Sequence, residues 1–437
     1  MPRNEFPKTE QIDSILLKNG TVTDPLENIE EKMDILIKSG TITETGTIDD
    51  DKADKVIDCS GRYIIPGPVD MHVHLREPGE EHKETIASGT MAAMNGGFTG
   101  VCCMPNTNPC IDSRNHVEFI KKQAAGGLVD VYPVGAVTKG RKGEELTEMA
   151  DMKEAGAVGF SDDGSPIMNS LVFRRALEYT TMLNTPLIDH CEDLTIAGDG
   201  MMNESIASTY AGLASLPSPA ETIQVARDIL IAEYCGCRVH IAHVSCAESV
   251  RLIRQAKDRN VHVTAETAPH YLLLTDDLVR SYDTNLKMKP PLRTETDRKA
   301  MVEAVKDGTI DVIATDHAPH HIDDKDKEFG AAAFGIVGLE TAIGLLMSDF
   351  VQKKIFPMRT LVEKISVNPR RICGLPEARI TADAPASLTV LDPDKTWTID
   401  KSAFYSLSRN TPFHGRKVQG EPVIVVNNGQ IFLRNNK

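Results

Sequence analysis

The 437-residue chain reads as an α/β protein: a (β/α)8 TIM-like barrel with a small composite β domain built from both chain ends. Three observations carry this reading. Eight short apolar runs with strand character alternate with longer helix-like segments through the middle of the chain. Both ends instead alternate apolar and polar residues around Gly and Asn turn signals. The polar residues suited to chemistry fall just past the apolar runs, where a parallel barrel carries its working groups. A doubly wound open sheet is the rival architecture.

Residues 1–66 supply the first part of the small β domain, with strand patterns in SILLKNGTVTD (14–24), MDILIKSGTIT (33–43) and KVIDCSGRYIIPG (55–67). The Asp49-Asp50-Asp51 run between them reads as a solvated turn. The barrel takes 67–375, its strand candidates being 68–75, 98–105, 129–137, 157–163, 186–192, 238–245, 261–267 and 310–317. Helical patterns lie between them at 113–125, 170–183, 220–236 and 247–260. Residues 376–437 return to strand patterns in ASLTVLDPDKTWTI (386–399) and VQGEPVIVVNNGQIFL (418–433).

Composition narrows the function. The chain is 41% hydrophobic and 25% charged, which is globular, and its net charge of −15 gives no generic attraction to nucleic acid or an anionic membrane. No apolar run approaches the ~18 residues of a membrane span. The opening MPRNEFPKTEQ lacks a signal-peptide pattern. Nine cysteines, an odd number without CxxC spacing, point to reduced thiols and a cytoplasmic location.

The chemistry sits at strand ends. The first run closes on Asp70-Met71-His72-Val73-His74-Leu75-Arg76, and residues two apart on a strand share a face. His72 and His74 can therefore address one metal. Alone the pair is weak, since HxH arises about 0.4 times by chance in such a composition. The other runs add weight. They close on Ser161-Asp162-Asp163-Gly164, Asp189-His190, Ala242-His243 and Thr315-Asp316-His317. Imidazoles and carboxylates together suit Zn2+, with Mn2+, Fe2+ or Co2+ as alternatives. Four His and two Asp exceed the needs of one tetrahedral ion and favour two ions sharing a carboxylate. His82, His116, His240 and His414 fit no ligand position, Cys191 should point away from the cluster, and His270 is given no role.

HVHLREPG, MPNTNP, GFSDDG, DHCED, IAHVS, MKPPLR, ATDHAPH and FGIVGLET occur in order over nearly the whole chain, which closely resembles a dihydroorotase of the amidohydrolase superfamily. It is most similar to the bacterial class with Asp, not a carboxylated Lys, after strand four. The resemblance implies His72, His74 and Asp316 on one zinc ion, His190 and His243 on a second, and Asp163, in preference to Asp162, as the bridge. It implies reversible cyclisation of N-carbamoyl-L-aspartate to L-dihydroorotate in pyrimidine biosynthesis, through a metal-activated hydroxide and Asp316 as proton shuttle. Ring closure consumes a proton, so lower pH should favour it.

The substrate carboxylate needs a cation. Arg76 lies two residues past His74, on the same face if the strand continues, and a guanidinium grips carboxylate with two donors. By resemblance Asn106 and His320 complete that grip, and Phe334-Gly335 meets the ring amides. Two positions depart from the family pattern. Lys289 stands where Asn is common, with a substrate contact expected, and Ala333 stands where Pro is common, which should loosen the loop. The polar stretch 321–327 reads either as a mobile lid or as a solvated loop. A homodimer, and association with aspartate transcarbamoylase, follow from the resemblance. Rival readings are a hydantoinase, dihydropyrimidinase or allantoinase, and a catalytically silent partner of the transcarbamoylase.

Overall fold

The computed structural model describes residues 9–434 apart from residue 12. Most of the opening MPRNEFPKTEQ, read above for a signal peptide, lies outside them. Eight parallel strands form the barrel: β1 (Val69–Val73), β2 (Gly100–Cys103), β3 (Asp130–Gly135), β4 (Gly159–Phe160), β5 (Ile188–Asp189), β6 (Val239–Ile241), β7 (Val263–Thr267) and β8 (Val312–Ile313). Each lies inside one of the eight apolar runs. Pairing is parallel from β1 to β4 and from β5 to β8. Single bridges close the ring, Phe160 to Leu187 between β4 and β5, and Val73 to His317 beside β8.

The strands are short, two to six residues each. Val69, Met71, Cys102, Met104, Val134, Ile188, Ala242, Val312 and Ala314 fill the interior, so the barrel is a packed core rather than a pore. Helices cover the outside. The segments 114–123, 170–182, 219–235 and 247–258 are helical, each bearing its buried residues at helical spacing. Helix Ile86–Gly96 is fixed at its start by a Thr85/Ser88 capping box and at its end by Gly97 in the left-handed conformation.

A Cβ on Gly96 would stand 2.1 Å from the Leu339 carbonyl oxygen, a backbone atom that cannot swing aside. Gly96→Ala should therefore lose about 2 kcal/mol of stability, because the overpacking outweighs the helix propensity gained. Denaturant titration checks this, and a stabilised variant would show that the helix slides freely over that turn.

The two chain ends share one sheet. Its order is 10–11, 430–433, 417–427, 388–398, 63–66, 14–24, 29–38 and 41–46, with 55–58 pairing on 14–24. The ends join where 388–391 runs antiparallel to 63–66. Ile15, Leu17, Val22, Ile35, Ile37, Leu388, Val390, Ile424 and Val426 form its apolar core. Asn19-Gly20 reads as a turn signal, yet the chain runs on as one strand, Ser14–Asp24, with a register shift there and Asn19 at φ 60°. Asp50–Lys52 is a short exposed turn, as the acidic run suggested. Buried Arg370 ties sheet to barrel, donating to the carbonyls of Gly67 and Pro376.

Between strands 388–398 and 417–427 the chain leaves the sheet and crosses onto the barrel. Ser406, Ser408, Asn410 and Thr411 of this strap are buried. Tyr405 and Ser406 donate backbone N–H groups to Glu340, and Leu407 donates to Glu84. All nine cysteines are unpaired thiols. Among the described residues no helix is long and apolar enough to cross a membrane.

Candidate metal centre

Six side chains from five strand ends converge at the carboxyl-terminal mouth of the barrel. His72 Nε2 lies 3.3 Å from Asp163 Oδ1 and 3.7 Å from Asp316 Oδ1. His74 Nε2 lies 3.0 Å from Asp316 Oδ1 and 3.6 Å from Asp163 Oδ2. Across the mouth, His190 Nδ1 and His243 Nε2 lie 3.7 and 3.5 Å from Asp163 Oδ1, and 2.8 Å from each other. Two overlapping clusters result, His72/His74/Asp163 and Asp163/His190/His243, and Asp163 belongs to both. Asp162 turns away and accepts from the Val137 and Thr138 backbone.

The hydrogen bonds behind the rings fix their tautomers. His72 Nδ1 lies 2.5 Å from Glu266 Oε1, and His74 Nδ1 lies 2.7 Å from Asn106 Oδ1. Both partners can only accept, so both Nδ1 atoms carry the proton and both Nε2 atoms present lone pairs. His190 Nε2 faces Glu192 Oε2 at 3.4 Å, which turns its Nδ1 lone pair inward. Imidazole lone pairs thus face carboxylate oxygens in a buried pocket, and His72 Nε2 and Asp163 Oδ1 have no hydrogen-bond partner among the described residues. Such a donor set fits a divalent cation and is costly without one.

Burial would raise the Asp163 carboxyl, but without a cation protonation of the facing His72, His190 and His243 holds it well below the usual carboxylate range, and a bound cation would take the place of those protons. Burial opposes ionisation of Asp316 too, and without a cation a proton on His74 Nε2 chiefly outweighs it, so its pKa also lies below the ordinary value; a bound cation would act in the same direction. His243 and Asp316 have φ of 32° and 48°, and Arg76 has 61°. Left-handed backbone at three non-glycine site residues marks strain retained where side chains must be aimed.

Strand β1 stops at Val73, so the face-sharing argument for Arg76 does not apply. Its left-handed backbone delivers the side chain instead. Arg76 is 7% exposed, donates Nε to the Pro319 carbonyl, and sets Nη2 3.4 Å from His320 Nε2. His320 Nε2 also lies 2.7 Å from the Phe334 carbonyl, which can only accept, so Nε2 bears the proton. Burial first, then the Arg76 and Lys325 charges, pull the His320 pKa down to about 2, leaving the ring neutral. Asn106 spends its oxygen on His74, which leaves its NH2 as the free end.

Lys289 Nζ lies 2.7 Å from Glu192 Oε1 and 5.6 Å from the centroid of the Phe334 ring, so its charge is engaged by Glu192. Gly335, at φ 126°, would place a Cβ 2.6 Å from that of Ala318, and only glycine fits.

The loop is not loosened by the missing proline. Lys287 Nζ donates to the carbonyls of Phe329, Gly330 and Ala332. Lys325 Nζ donates to those of Lys287, Ala333 and Gly335. Each ammonium thus spends three donors on backbone. Lys325 is 3% exposed, so the polar stretch 321–327 is anchored, and a lid would have to break these bonds.

Sequence reasoning missed Glu266, Glu192, Lys325 and Asn410. Glu192 lies inside the DHCED motif and Glu266 inside the 261–267 run, and a search for acceptors behind each histidine finds them. His240 lies behind the cluster, its Nε2 3.4 Å from Glu266 Oε2, and Cys191 faces Asp228 at 3.2 Å, both away from the centre as expected.

A dihydro-orotase-like family model matches residues 61–249. The chain is 50% identical over 420 residues to a dihydroorotase of Pelotomaculum thermopropionicum, covering 96% of this chain and 98% of that one. It is 51% identical over 424 residues to a dihydroorotase of Desulforapulum autotrophicum, covering 96% and 99%. The chain belongs to the dihydroorotase family. An L-hydantoinase from Arthrobacter aurescens has a similar structure, with a TM-score of 0.87 at 26% identity over 98% of this chain and 97% of that one. The dihydropyrimidinase from Brevibacillus agri gives 0.84 at 22% identity over 97% and 95%, a likeness of fold. Dihydroorotase-family membership makes this chain a hydrolase of C–N bonds in cyclic amides, acting on a small molecule.

Proposed function

We propose that the chain interconverts N-carbamoyl-L-aspartate and L-dihydroorotate, with the barrel mouth as active site. The observation that supports this reading over a hydantoinase is the buried Arg76 guanidinium, a cationic grip suited to a ring carboxylate. Zn2+ would suit the donors: His72, His74 and Asp316 would hold one ion, His190 and His243 a second, and Asp163 would serve both. A bound metal supplies an acidified water and polarises the scissile carbonyl.

The chain's own groups do the rest. Arg76 and the Asn106 amide hold the substrate carboxylate, His320 joins them by turning its Nε2–H from the Phe334 carbonyl, and Phe334, Gly335 and Lys289 bound the ring. Asp316, ionised at neutral pH, takes the proton of the attacking water at Oδ1 and returns it to the leaving ring nitrogen. In the reverse direction the same carboxyl gives up that proton as water departs. The terminal sheet acts as one small domain, 1–66 with 376–437, beside the barrel of 67–375. A cytoplasmic homodimer able to associate with aspartate transcarbamoylase completes the reading.

The test is a side-by-side assay on metal-quantified protein with dihydroorotate, hydantoin, dihydrouracil and allantoin, with Arg76→Ala in parallel. Turnover of dihydroorotate alone, with KM raised about 100-fold or more in the variant and metal retained, is expected from loss of a charge-assisted bidentate contact. Turnover of a ring without a carboxylate, indifferent to the mutation, would move the chain to the hydantoinase activity. Glu266→Gln should weaken metal retention about 10- to 100-fold, since the acceptor that orients His72 becomes neutral. Metal analysis after graded chelation reads this out, and unchanged retention would mean that Glu266 does not set the ring.

A further inference from the structure

We propose that Asn410, on the strap between the last two long strands of the terminal sheet, is a positioning residue for substrate recognition. It holds the backbone of His320 and of Phe334-Gly335 against Arg76. The inference rests on the dihydroorotase reading of the site.

Asn410 is 4% exposed and uses its whole amide. Its Nδ2 donates to the Ala318 carbonyl at 2.9 Å and to the Gly335 carbonyl at 3.1 Å. Its Oδ1 accepts from the His320 N–H at 3.2 Å, and its backbone carbonyl accepts from Val337 N–H at 2.9 Å. One side chain therefore links two segments that run past each other, 318–320 and 335–337. Between them lie the pieces of the proposed carboxylate pocket. Arg76 Nε is held by the Pro319 carbonyl and His320 Nε2 by the Phe334 carbonyl. A shift of either segment moves Arg76 and His320 relative to each other, and a misplacement near 1 Å is enough to degrade recognition.

The chemistry admits only Asn. Two donors face two carbonyls, and one acceptor faces an N–H. Aspartate has the same shape but would set a carboxylate oxygen against carbonyl oxygens. The strap does not depend on Asn410 for attachment, because Glu340 and Glu84 anchor residues 405–407 independently. Substitution should therefore disturb the pocket without detaching the strap.

The test compares wild type, Asn410→Ala and Asn410→Asp for metal content, melting temperature, kcat and KM with dihydroorotate. KM should rise about tenfold or more in both variants, as three buried hydrogen bonds to the pocket backbone are lost in Asn410→Ala and two in Asn410→Asp. Metal content and kcat should stay near wild type. In an Arg76→Ala background the Asn410 effect on KM should shrink, because there is no longer a grip to align. Unchanged KM, an effect that simply multiplies with Arg76→Ala, or two variants that lose metal, kcat and folding together would each overturn the proposal. A wild-type protein that does not turn over dihydroorotate would instead remove the underlying reading, and the inference with it.

Discussion

Asp316→Asn is expected to lower kcat for dihydroorotate by about 10³- to 10⁴-fold while KM changes little, the upper range for losing a general base that is also a ligand. The carboxylate lies 3.0 Å from His74 Nε2 and 3.7 Å from His72 Nε2, at a residue 8% exposed. Its backbone, at φ 48°, aims it into the mouth. Asparagine fills the same volume and can still offer an oxygen to a cation, but it cannot carry the proton from water to ring nitrogen. The substrate grip is made by other residues, which is why the loss should fall on kcat. The pH profile adds a second readout. Burial raises and His74 lowers the Asp316 pKa, leaving it below the ordinary value, so the wild type should lose activity only on the acid side of the usual carboxylate range. Steady-state kinetics across pH settles this, and a variant with near wild-type kcat would assign the proton to another group.

Asp163→Ala should remove bound metal and abolish turnover. Asp163 Oδ1 lies within 3.3 to 3.7 Å of three imidazole nitrogens from three strand ends. It is the member common to both clusters, so its loss leaves each with too few anionic donors to offset the charge of a divalent ion. On the proposed two-ion reading, metal content should fall from about two equivalents to well below one, because that arrangement requires a shared ligand. Asp162→Ala is the control. Asp162 bonds the Val137 and Thr138 backbone, so its loss should cost stability and spare the metal. Full metal retention in Asp163→Ala, or metal loss confined to Asp162→Ala, would exchange the roles of the two aspartates. Elemental analysis of purified, chelator-washed protein distinguishes these outcomes.

The residues of the candidate centre were legible because a parallel barrel maps strand order onto a ring. Polar residues just past the apolar runs are then gathered at the same end of the barrel, whatever their sequence separation, and those on the inward face reach the mouth. His72, His74, Asp163, His190, His243 and Asp316 follow that rule, and the structure brings all six together. The small sheet was legible for a similar reason, since period-two alternation at both ends demands partners, and each end offers strands to the other. Arg76 was found for a reason that does not hold. The strand ends at Val73, and a left-handed residue, not a continued pleat, turns the guanidinium toward His320.

Residue types, their order and the strand-end rule thus determined the barrel, the composite sheet, the convergent ligand candidates and the need for a cation near them, while the choice of Asp163 over Asp162 came from the family resemblance. Only the tertiary structure decided which acceptors hold the rings, that Lys287 and Lys325 pin the loop, and that Asn410 reaches the pocket from the far end of the chain. The physical reason is the range of the forces involved. Strand periodicity and hydrophobic burial are written in local pattern. A buried amide or ammonium is placed by the backbone carbonyls it must satisfy, and those come from segments that no local pattern links.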